Sequence, residues 1–369
     1  MRRGATGTSG VCDLKAAHGL DLGRWMPDGA GPGLVAGVLA GGAVASWTGA
    51  GRVTLGGAER VGPRTVFYVA SLAKQFTAAC VTACENDGLL EVDGSIRTLV
   101  PELPEPFAPI SLRHLLHHLG GLPHGGAAGL SASTSRDTDW REGLGLWDMI
   151  NLLGQEPRLR RPGEAYAYSN CGYWLLAAAV ERAAGEPFAA FARRRLFVPL
   201  GMNDTRFRDA PDALQPGLAP GHARRDGGYV QRFTRFHGVG DGGLLTTVED
   251  LAKWDTFWTG ASSLGDELLP RMLEQGRRDD GALLSYARGV SVGLHRGIPA
   301  RSHTGGFLGY RSVLVHFPEQ AFSICALSNA DDVDLVGLSV DLADRALGSL
   351  MDKELPPWAE HLRHDGLAV

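Results

Sequence analysis

TVFYVASLAKQF, residues 65–76, is the stretch from which both the fold and the chemistry of this chain can be predicted. The short apolar run Val66 to Val69 predicts a strand, and the apolar residues after Ser71 recur at helical spacing. Gly88 is the residue type that most often ends a helix, in the left-handed conformation. We therefore expect a helix that begins at Ser71 and carries Lys74 one turn further along the same face.

Ser71 and Lys74 form a Ser-x-x-Lys pair, which has a specific chemical use. A serine hydroxyl becomes a strong nucleophile when a base removes its proton, and a lysine can be that base if burial lowers the pKa of its amine. The free N–H groups at a helix start favour a developing oxyanion. The same spacing also fits a serine helix cap beside a solvated lysine. Lysine is otherwise scarce here, with only Lys15, Lys253 and Lys353 elsewhere, so its position is informative.

The composition excludes several classes of function. The chain has 369 residues, 44% of them hydrophobic, and a net charge of −5, without a basic region suited to nucleic acid. No apolar stretch reaches the roughly 18 residues that span a membrane. Five cysteines at irregular spacing indicate no disulfide framework. No apolar run follows Arg2 and Arg3, so no secretory signal is predicted and we expect a cytoplasmic location.

Strands are predicted near both ends of the chain. Leu34 to Leu39 and Ala43 to Trp47 are joined by the two-residue turn Gly41-Gly42, which is typical of a hairpin. After residue 285 the apolar pattern again has the period of strands. These later strands are predicted at Ser291–Leu294, Gly309–Phe317 and Ala321–Leu327. An amphipathic helix is predicted after them, from Asp332 to Leu350.

The middle of the chain has a mostly helical pattern with long loops, one of them predicted at residues 123–139 from its glycine, alanine and serine content. We therefore predict an α/β (α+β) fold in which an antiparallel sheet is flanked by helices. Residues 1–95 and 285–369 would form this α/β lobe from both termini. Residues 96–284 would form an all-helical lobe inserted between them, with the catalytic cleft between the two lobes.

Tyr168 and Asn170 stand two residues apart in an irregular segment before a predicted helix. A phenol near an ammonium group has its pKa lowered, so Tyr168 could transfer protons. Asn170 could donate to a substrate carbonyl and hold Lys74 in place. The simpler explanation is a buried aromatic residue followed by an asparagine that caps the helix.

Arg301 to Phe307, RSHTGGF, comes directly before the predicted strand at Gly309. A strand edge with small residues lets a substrate backbone approach and pair with it. His303 can donate or accept a hydrogen bond, and Thr304 can bind a carboxylate or a carbonyl. The segment also fits an ordinary turn at the end of a strand.

Two further patterns suggest ligands but have simpler explanations. Gly238 to Gly243 fits G-x-G-x-x-G, yet no parallel βαβ unit surrounds it, so we interpret it as a glycine loop beside the site. A histidine group suggests zinc but lacks the H-E-x-x-H pattern, and its adjacent members cannot share a helix face. That group comprises His114, His117, His118 and His124. We predict that neither a metal nor a cofactor is required.

Three motifs together are far more specific than each alone. Ser71-x-x-Lys74, Tyr168-x-Asn170 and His303-Thr304-Gly305 occur in this order at long separations. This set resembles the serine β-lactamase and penicillin-binding-protein superfamily, on its class C-like side, over residues 30–350. The resemblance extends to LRHLLHHLGGLP (112–123), PGE (162–164), FVPLGM (197–202), GGLLTTVEDLA (242–252) and LSN (327–329).

The resemblance implies catalytic roles for three residues and a substrate-binding role for a fourth, Asn170. Ser71 would be the nucleophile that forms an acyl-enzyme, and Lys74 and Tyr168 would share the proton transfer. Asn170 would position Lys74 and the substrate amide. The fold implied is the β-lactamase/transpeptidase type, with the serine between a mixed lobe and a helical lobe.

The resemblance also implies a substrate-binding strand. His303, Thr304 and Gly305 would line that strand, and the backbone N–H groups of Ser71 and Gly306 would form the oxyanion hole. Class C β-lactamases usually have Lys-Thr-Gly here, so His303 replaces a permanent cation with a group that is mostly neutral near pH 7. We expect its charge to appear as the pH falls through an ordinary pKa of about 6.5, which would improve carboxylate binding toward pH 6.

The departure at His303 favours a particular substrate class. A neutral histidine weakens recognition of the carboxylate on β-lactams. A histidine at this position is similar to the motif of certain DD-peptidases, D-aminopeptidases and esterase-like relatives. We therefore favour a small-molecule acyl donor that is an ester, or an amide or short peptide of a D-amino acid. The alternatives are an acyltransferase of a biosynthetic pathway, a β-lactamase, and a non-catalytic penicillin-binding module. The intact set of Ser71, Lys74, Tyr168 and Asn170 argues against the last of these.

Overall fold

A computed structural model describes residues 12–26, 31–125, 143–156, 160–211, 216–264 and 266–360. The loop predicted at residues 123–139 lies largely outside the described residues. The strands are β1 (Leu34–Ala40), β2 (Ala43–Ala50), β3 (Phe67–Tyr68), β4 (Arg206–Phe207), β5 (Gly221–Arg225), β6 (Gly228–Arg232), β7 (Leu244–Thr246), β8 (Ser291–His295), β9 (Ile298–Phe307), β10 (Tyr310–Phe317) and β11 (Phe322–Ser328).

The main sheet has six antiparallel strands in the order β2-β1-β11-β10-β9-β8. Its strands come from both ends of the chain, since β1 pairs with β11 in the register Val35 to Leu327. The predicted hairpin at Gly41-Gly42 is confirmed, and both glycines have positive φ, which a two-residue hairpin turn requires. The predicted antiparallel sheet is therefore confirmed.

The helices are α1 (Lys74–Asn86), α2 (Leu112–Leu116), α3 (Leu146–Leu153), α4 (Asn170–Ala184), α5 (Phe188–Ala192), α6 (Val198–Leu200), α7 (Val248–Trp258), α8 (Leu268–Met272) and α9 (Leu335–Leu347). Three of the longer helices begin at side-chain caps that accept a backbone N–H from the first turn. These caps are Ser169 for α4, Thr247 for α7 and Asp334 for α9.

The two faces of the main sheet bury different sets of side chains. Successive residues of a strand point to opposite faces, so Leu314 packs with the core that contains α1, α4 and α7. Its neighbour Val313 packs instead with α9 on the other face. The sheet is therefore a central layer, and β9 lies where the helical side of the molecule meets it.

The family resemblance implied a strand at His303 to Gly305, and β9 confirms it, but the local residue pattern did not indicate this strand. Its residues Arg301 to Phe307 were expected to precede a strand, but they pair with β10 along their whole length. On the other side, β8 pairs only with residues 298–302. Residues 303–307 therefore lie beyond the end of β8, against the turn that contains Ser71.

The middle of the chain carries α2 to α8 and also the short strands β4 to β7, which the sequence pattern did not indicate. Strands β3, β7 and β4 form a small sheet, and β5 pairs with β6. The division into lobes at residues 96–284 stays a prediction. None of the described helices is both long and apolar enough to cross a membrane.

Candidate active site

Ser71 lies at a sharp change of chain direction. Strand β3 ends at Tyr68, and a 3-10 turn spanning Ala70–Ala73 leads directly into α1. Ala70 has a φ of 48°, an unfavourable value for a residue with a side chain, which turns the chain abruptly out of the strand. Ser71 is therefore presented at the first turn and stays partly exposed. The predicted helix is confirmed, with the difference that its first turn is 3-10.

Lys74 is the buried base candidate beside Ser71. Its side chain is fully buried, and its Nζ lies 3.1 Å from Ser71 Oγ. The same Nζ donates to Asn170 Oδ1 at 2.8 Å and to the backbone carbonyl of Asp241 at 2.8 Å. Those two oxygens can only accept, so a neutral amine donates both of its N–H groups to them. Its lone pair then faces the Ser71 hydroxyl.

Burial lowers the pKa of Lys74 to about 7, while the nearby Asp241 carboxylate acts in the opposite direction and raises it. An ammonium group loses its hydration on burial, which favours the neutral form. Near neutral pH a large share of Lys74 is therefore unprotonated and able to accept a proton. This is the condition under which a lysine can activate a serine.

Asp241 is a site residue that the sequence analysis did not identify. It belongs to the glycine loop at residues 238–243. That loop was predicted to lie beside the site, and the contact between Lys74 and the Asp241 carbonyl confirms this position. Its carboxylate accepts a hydrogen bond from Trp174 Nε1 at 2.7 Å. Gly240 has a φ of 107°, and a Cβ there would overlap the Tyr173 carbonyl. Glycine is therefore required for the loop to approach α4 and reach Lys74.

Tyr168 lies over Lys74, with the ammonium nitrogen 4.9 Å from the ring centre. Tyr168 is half-buried. Burial of its phenol raises the pKa well above the ordinary value, although an interaction with the Ser71 hydroxyl acts to lower it. The expectation of a lowered pKa is therefore wrong, because loss of hydration outweighs the neighbouring amine. Tyr168 stays protonated at neutral pH and is placed to donate to an atom beside Ser71.

Asn170 is free to serve Lys74 because another residue caps the helix. Ser169 Oγ accepts the N–H of Gly172 at 3.3 Å, so the expected alternative of a capping Asn170 does not apply. The Asn170 N–H donates to the His124 carbonyl at 2.7 Å, which anchors the residue. Its amide oxygen accepts from Lys74, and its NH₂ group can act as a donor.

His303 is buried and neutral. Its Nδ1 lies 2.6 Å from the Thr304 carbonyl, which can only accept, so Nδ1 carries the proton. Its Nε2 then accepts from the hydroxyl of Tyr286 at 3.1 Å. Burial, with a smaller contribution from Lys74, lowers the pKa of His303 to about 3. The expectation that its charge appears near pH 6.5 is therefore wrong, since both nitrogens are satisfied by the neutral ring and a second cation would lie near Lys74.

Gly305 brings β9 against the nucleophile. A Cβ at Gly305 would lie 3.1 Å from the Ser71 nitrogen and would overlap the Val69 carbonyl, so the close approach needs glycine. The open stretch of β9, which includes Thr304 and Gly306, runs past Ser71. The structure thus brings all eight predicted site residues to one place.

The histidine group does not converge. His117 is buried, with Nδ1 and Nε2 both 2.9 Å from backbone carbonyls. His118 Nδ1 accepts the Ser169 N–H at 3.1 Å, and its ring lies 4.3 Å from that of Tyr168. His114 Nδ1 accepts the Ser111 N–H at 3.2 Å. Over the described part of the chain, no three His, Cys, Asp or Glu residues are arranged to hold a metal ion.

Comparisons with known proteins agree on one family. A family model described as Beta-lactamase matches residues 17–345. Penicillin-binding protein 4* of Bacillus subtilis (strain 168) is 25% identical over 292 residues, which cover 73% of this chain and 61% of that protein. A D-aminopeptidase of Gluconobacter oxydans (strain 621H) is 25% identical over 269 residues, which cover 72% of this chain and 50% of the relative. The chain thus spans only part of the length of both relatives.

Solved structures show the same fold. The octameric penicillin-binding protein homologue from Pyrococcus abyssi superposes with a TM-score of 0.78 at 22% identity, covering 92% of this chain and 79% of that one. The D-amino acid amidase from Ochrobactrum anthropi SV3 superposes with a TM-score of 0.70 at 20% identity, covering 86% of this chain and 94% of the other. The predicted β-lactamase/transpeptidase-like fold is confirmed.

Proposed function

This chain belongs to the Beta-lactamase family of serine hydrolases, and on that premise we propose that it cleaves esters or amides through an acyl-enzyme on Ser71. The observation that carries the proposal is the contact between Lys74 Nζ and Ser71 Oγ at 3.1 Å, in a setting that lowers the pKa of the amine to about 7. An amine with a lowered pKa in contact with a serine hydroxyl supports a catalytic role over a non-catalytic module.

Acylation follows from the contacts. Lys74 Nζ accepts the proton of Ser71 Oγ as the oxygen attacks the substrate carbonyl carbon, so a C–O bond forms and the carbonyl oxygen becomes an oxyanion. Backbone N–H groups of Ser71 and Gly306 are the proposed donors to that oxyanion. The first turn of a helix supports this role, because its N–H groups have no helical acceptor.

Departure of the leaving group needs a proton. Tyr168, whose pKa is raised by burial, donates its proton to the leaving oxygen or nitrogen and regains one from Lys74. A water molecule then attacks the acyl carbon with the same groups as base, which releases the acid and restores Ser71. Asn170 holds Lys74 through its amide oxygen and offers its NH₂ group to the acyl side of the substrate.

The substrate class we favour is a small ester, or an amide or short peptide of a D-amino acid. The neutral His303 supports this choice, because it supplies no fixed cation for a β-lactam carboxylate. The names of the relatives, D-aminopeptidase and D-amino acid amidase, point in the same direction. Transfer of the acyl group to an alcohol or amine would use the same residues.

The test is an assay of paired substrates. p-Nitrophenyl acetate and the p-nitroanilides of D- and L-alanine are offered to the wild-type protein and to Ser71→Ala, with and without added ethanol or glycine amide. Ser71-dependent release of acetate, and of D-alanine in excess of L-alanine, supports the proposal. Products carrying the added nucleophile in preference to free acid would reassign the protein to acyl transfer, and equal rates for both proteins would refute a Ser71 hydrolase.

A further inference from the structure

His118 lies two residues beyond the end of α2, and the acyl-enzyme chemistry described above gives it no role. The residue is buried, with only 1% of its surface exposed. Its φ is 56°, in the left-handed region that is unfavourable for a residue with a side chain. Such a conformation persists where the surrounding contacts impose it, so the contacts of His118 are informative.

His118 holds the chain on both sides of Tyr168. Its carbonyl accepts the Ala167 N–H at 2.9 Å, and its Nδ1 accepts the Ser169 N–H at 3.1 Å. The centres of the His118 and Tyr168 rings lie 4.3 Å apart, with 34° between the ring planes. One residue therefore restrains Tyr168 through both of its backbone neighbours and through the face of its ring.

The imidazole of His118 is neutral and has a defined tautomer. A backbone N–H can only donate, so Nδ1 accepts the Ser169 N–H and Nε2 carries the ring proton. Burial, with a smaller contribution from the nearby Lys74 ammonium, lowers the pKa of His118 well below its ordinary value. The ring thus remains able to accept from Ser169 across the pH range in which Lys74 titrates.

The Nε2 of His118 has no hydrogen-bond partner among the described residues. Tyrosine rings surround the imidazole, with centre-to-centre distances of 4.8 Å to Tyr286 and 5.1 Å to Tyr173. A buried N–H without an acceptor is unfavourable. The left-handed φ and the unsatisfied N–H both oppose stability, and unfavourable local features of this kind concentrate at functional sites.

We propose that His118 is a positioning residue for Tyr168, which it holds through the Ser169 N–H so that the phenol can protonate the leaving group. The inference rests on the proposed Ser71 chemistry and adds a residue on which proton delivery depends. His118 does not act as a second base, because its one lone pair is already used by Ser169. A misplacement of about 1 Å at a reacting group can lower a rate by about 10²-fold, so loss of this contact is measurable.

Two variants separate the acceptor of His118 from its ring. His118→Phe keeps an aromatic ring but removes the acceptor for the Ser169 N–H. His118→Asn removes the ring but keeps an acceptor in its Oδ1, and asparagine tolerates a left-handed φ. His117→Phe is the matched control, because His117 is also buried but its ring nitrogens contact the carbonyls of Arg113 and Glu274.

The test compares acetate esters whose leaving oxygens become more basic in the order p-nitrophenyl, phenyl and trifluoroethyl. p-Nitrophenolate can depart without a proton, whereas trifluoroethoxide needs one, which Tyr168 would supply. The measured quantity is the kcat/KM ratio of trifluoroethyl acetate to p-nitrophenyl acetate in each variant. A variant that merely contains less folded protein lowers both rates equally and leaves this ratio unchanged.

We expect the ratio to fall about tenfold in His118→Phe, to fall less than about threefold in His118→Asn, and to stay unchanged in His117→Phe. In Tyr168→Phe, which has no phenol to position, adding His118→Phe should not lower the ratio further. An unchanged ratio in His118→Phe, equal falls in His118→Phe and His118→Asn, or a further fall in the Tyr168→Phe background would each overturn the proposal. Absence of Ser71-dependent hydrolysis of p-nitrophenyl acetate by the wild type would refute the proposed function instead.

Discussion

Lys74 Nζ lies 3.1 Å from Ser71 Oγ and donates to two oxygens that cannot donate in return, Asn170 Oδ1 and the Asp241 carbonyl. This arrangement orients the free electron pair of a neutral lysine at the serine. It also explains why an amine is buried at all, since burial is what brings its pKa to about 7.

The first prediction concerns the identity of the base. Lys74→Arg keeps a cation in place but cannot be deprotonated, so we expect kcat/KM for p-nitrophenyl acetate to fall by about 10²–10⁴-fold. Lys253→Arg is the matched control, because Lys253 likewise donates to one side-chain oxygen and one backbone carbonyl, those of Asp250 and Gly201, but lies far along the chain on α7. Activity near the wild-type level in Lys74→Arg would exclude Lys74 as the base.

The second prediction concerns Asp241. Its carboxylate raises the pKa of Lys74, so Asp241→Asn should lower that pKa further while keeping the acceptor for Trp174. A lower pKa leaves the amine neutral at lower pH. The pH at which kcat/KM is half of its maximum, expected at about 7 in the wild type, should therefore move to lower pH. Asp87→Asn, beyond the far end of α1, controls for the loss of one charge, and a midpoint that stays or rises would contradict the account.

The third prediction concerns His303. Its pKa is lowered to about 3, so the ring stays neutral from pH 5.5 to pH 8. The kcat/KM ratio of a carboxylate-bearing ester to a neutral ester should therefore not change across that range, although both rates fall at low pH as Lys74 is protonated. An improvement of the charged ester alone toward pH 6 would show that His303 titrates near its ordinary pKa and faces the substrate.

The fourth prediction concerns the glycine loop. Gly240→Ala places a Cβ against the Tyr173 carbonyl at a φ of 107°, so we expect the free energy of unfolding to fall by about 2–4 kcal/mol. Gly281→Ala is the control, because Gly281 has a φ of 87° but no atom within 4 Å of its Cβ position. Backbone strain alone should lower the free energy of unfolding of Gly281→Ala by about 1 kcal/mol. Equal losses in denaturant titrations of the two variants would mean that the loop does not pack closely against α4.

The catalytic side chains could be predicted from the sequence because their chemistry is carried by residue type and order along the chain. Ser71 and Lys74 need only the spacing of a helix to meet. Asp241 could not be predicted in the same way, because it holds Lys74 through a backbone carbonyl that every residue type possesses. The neighbouring glycines at residues 238–243 indicated that a loop lies beside the site. They did not indicate that the Asp241 carbonyl contacts Lys74.

The pKa directions of Tyr168 and His303 could not be read from the sequence either. Both depend on burial by segments that are distant along the chain, such as the one that carries Tyr286. The local residue pattern did not indicate strand β9, which only the family resemblance implied. Its Gly305 and Gly306 have low strand propensity, and pairing with β10 overrides that preference. Strands of two residues, such as β3 and β4, are too short to show a period.

The central claim, that Ser71 carries the acyl group, is tested most directly by mass spectrometry of the intact protein mixed with p-nitrophenyl acetate or a fluorophosphonate. The account predicts one adduct per chain, located on the peptide that contains Ser71, and no adduct in Ser71→Ala, whose fold should be intact because only a hydroxyl is removed at a partly exposed position. An adduct that persists in Ser71→Ala, or one located on another residue of the wild type, would contradict it.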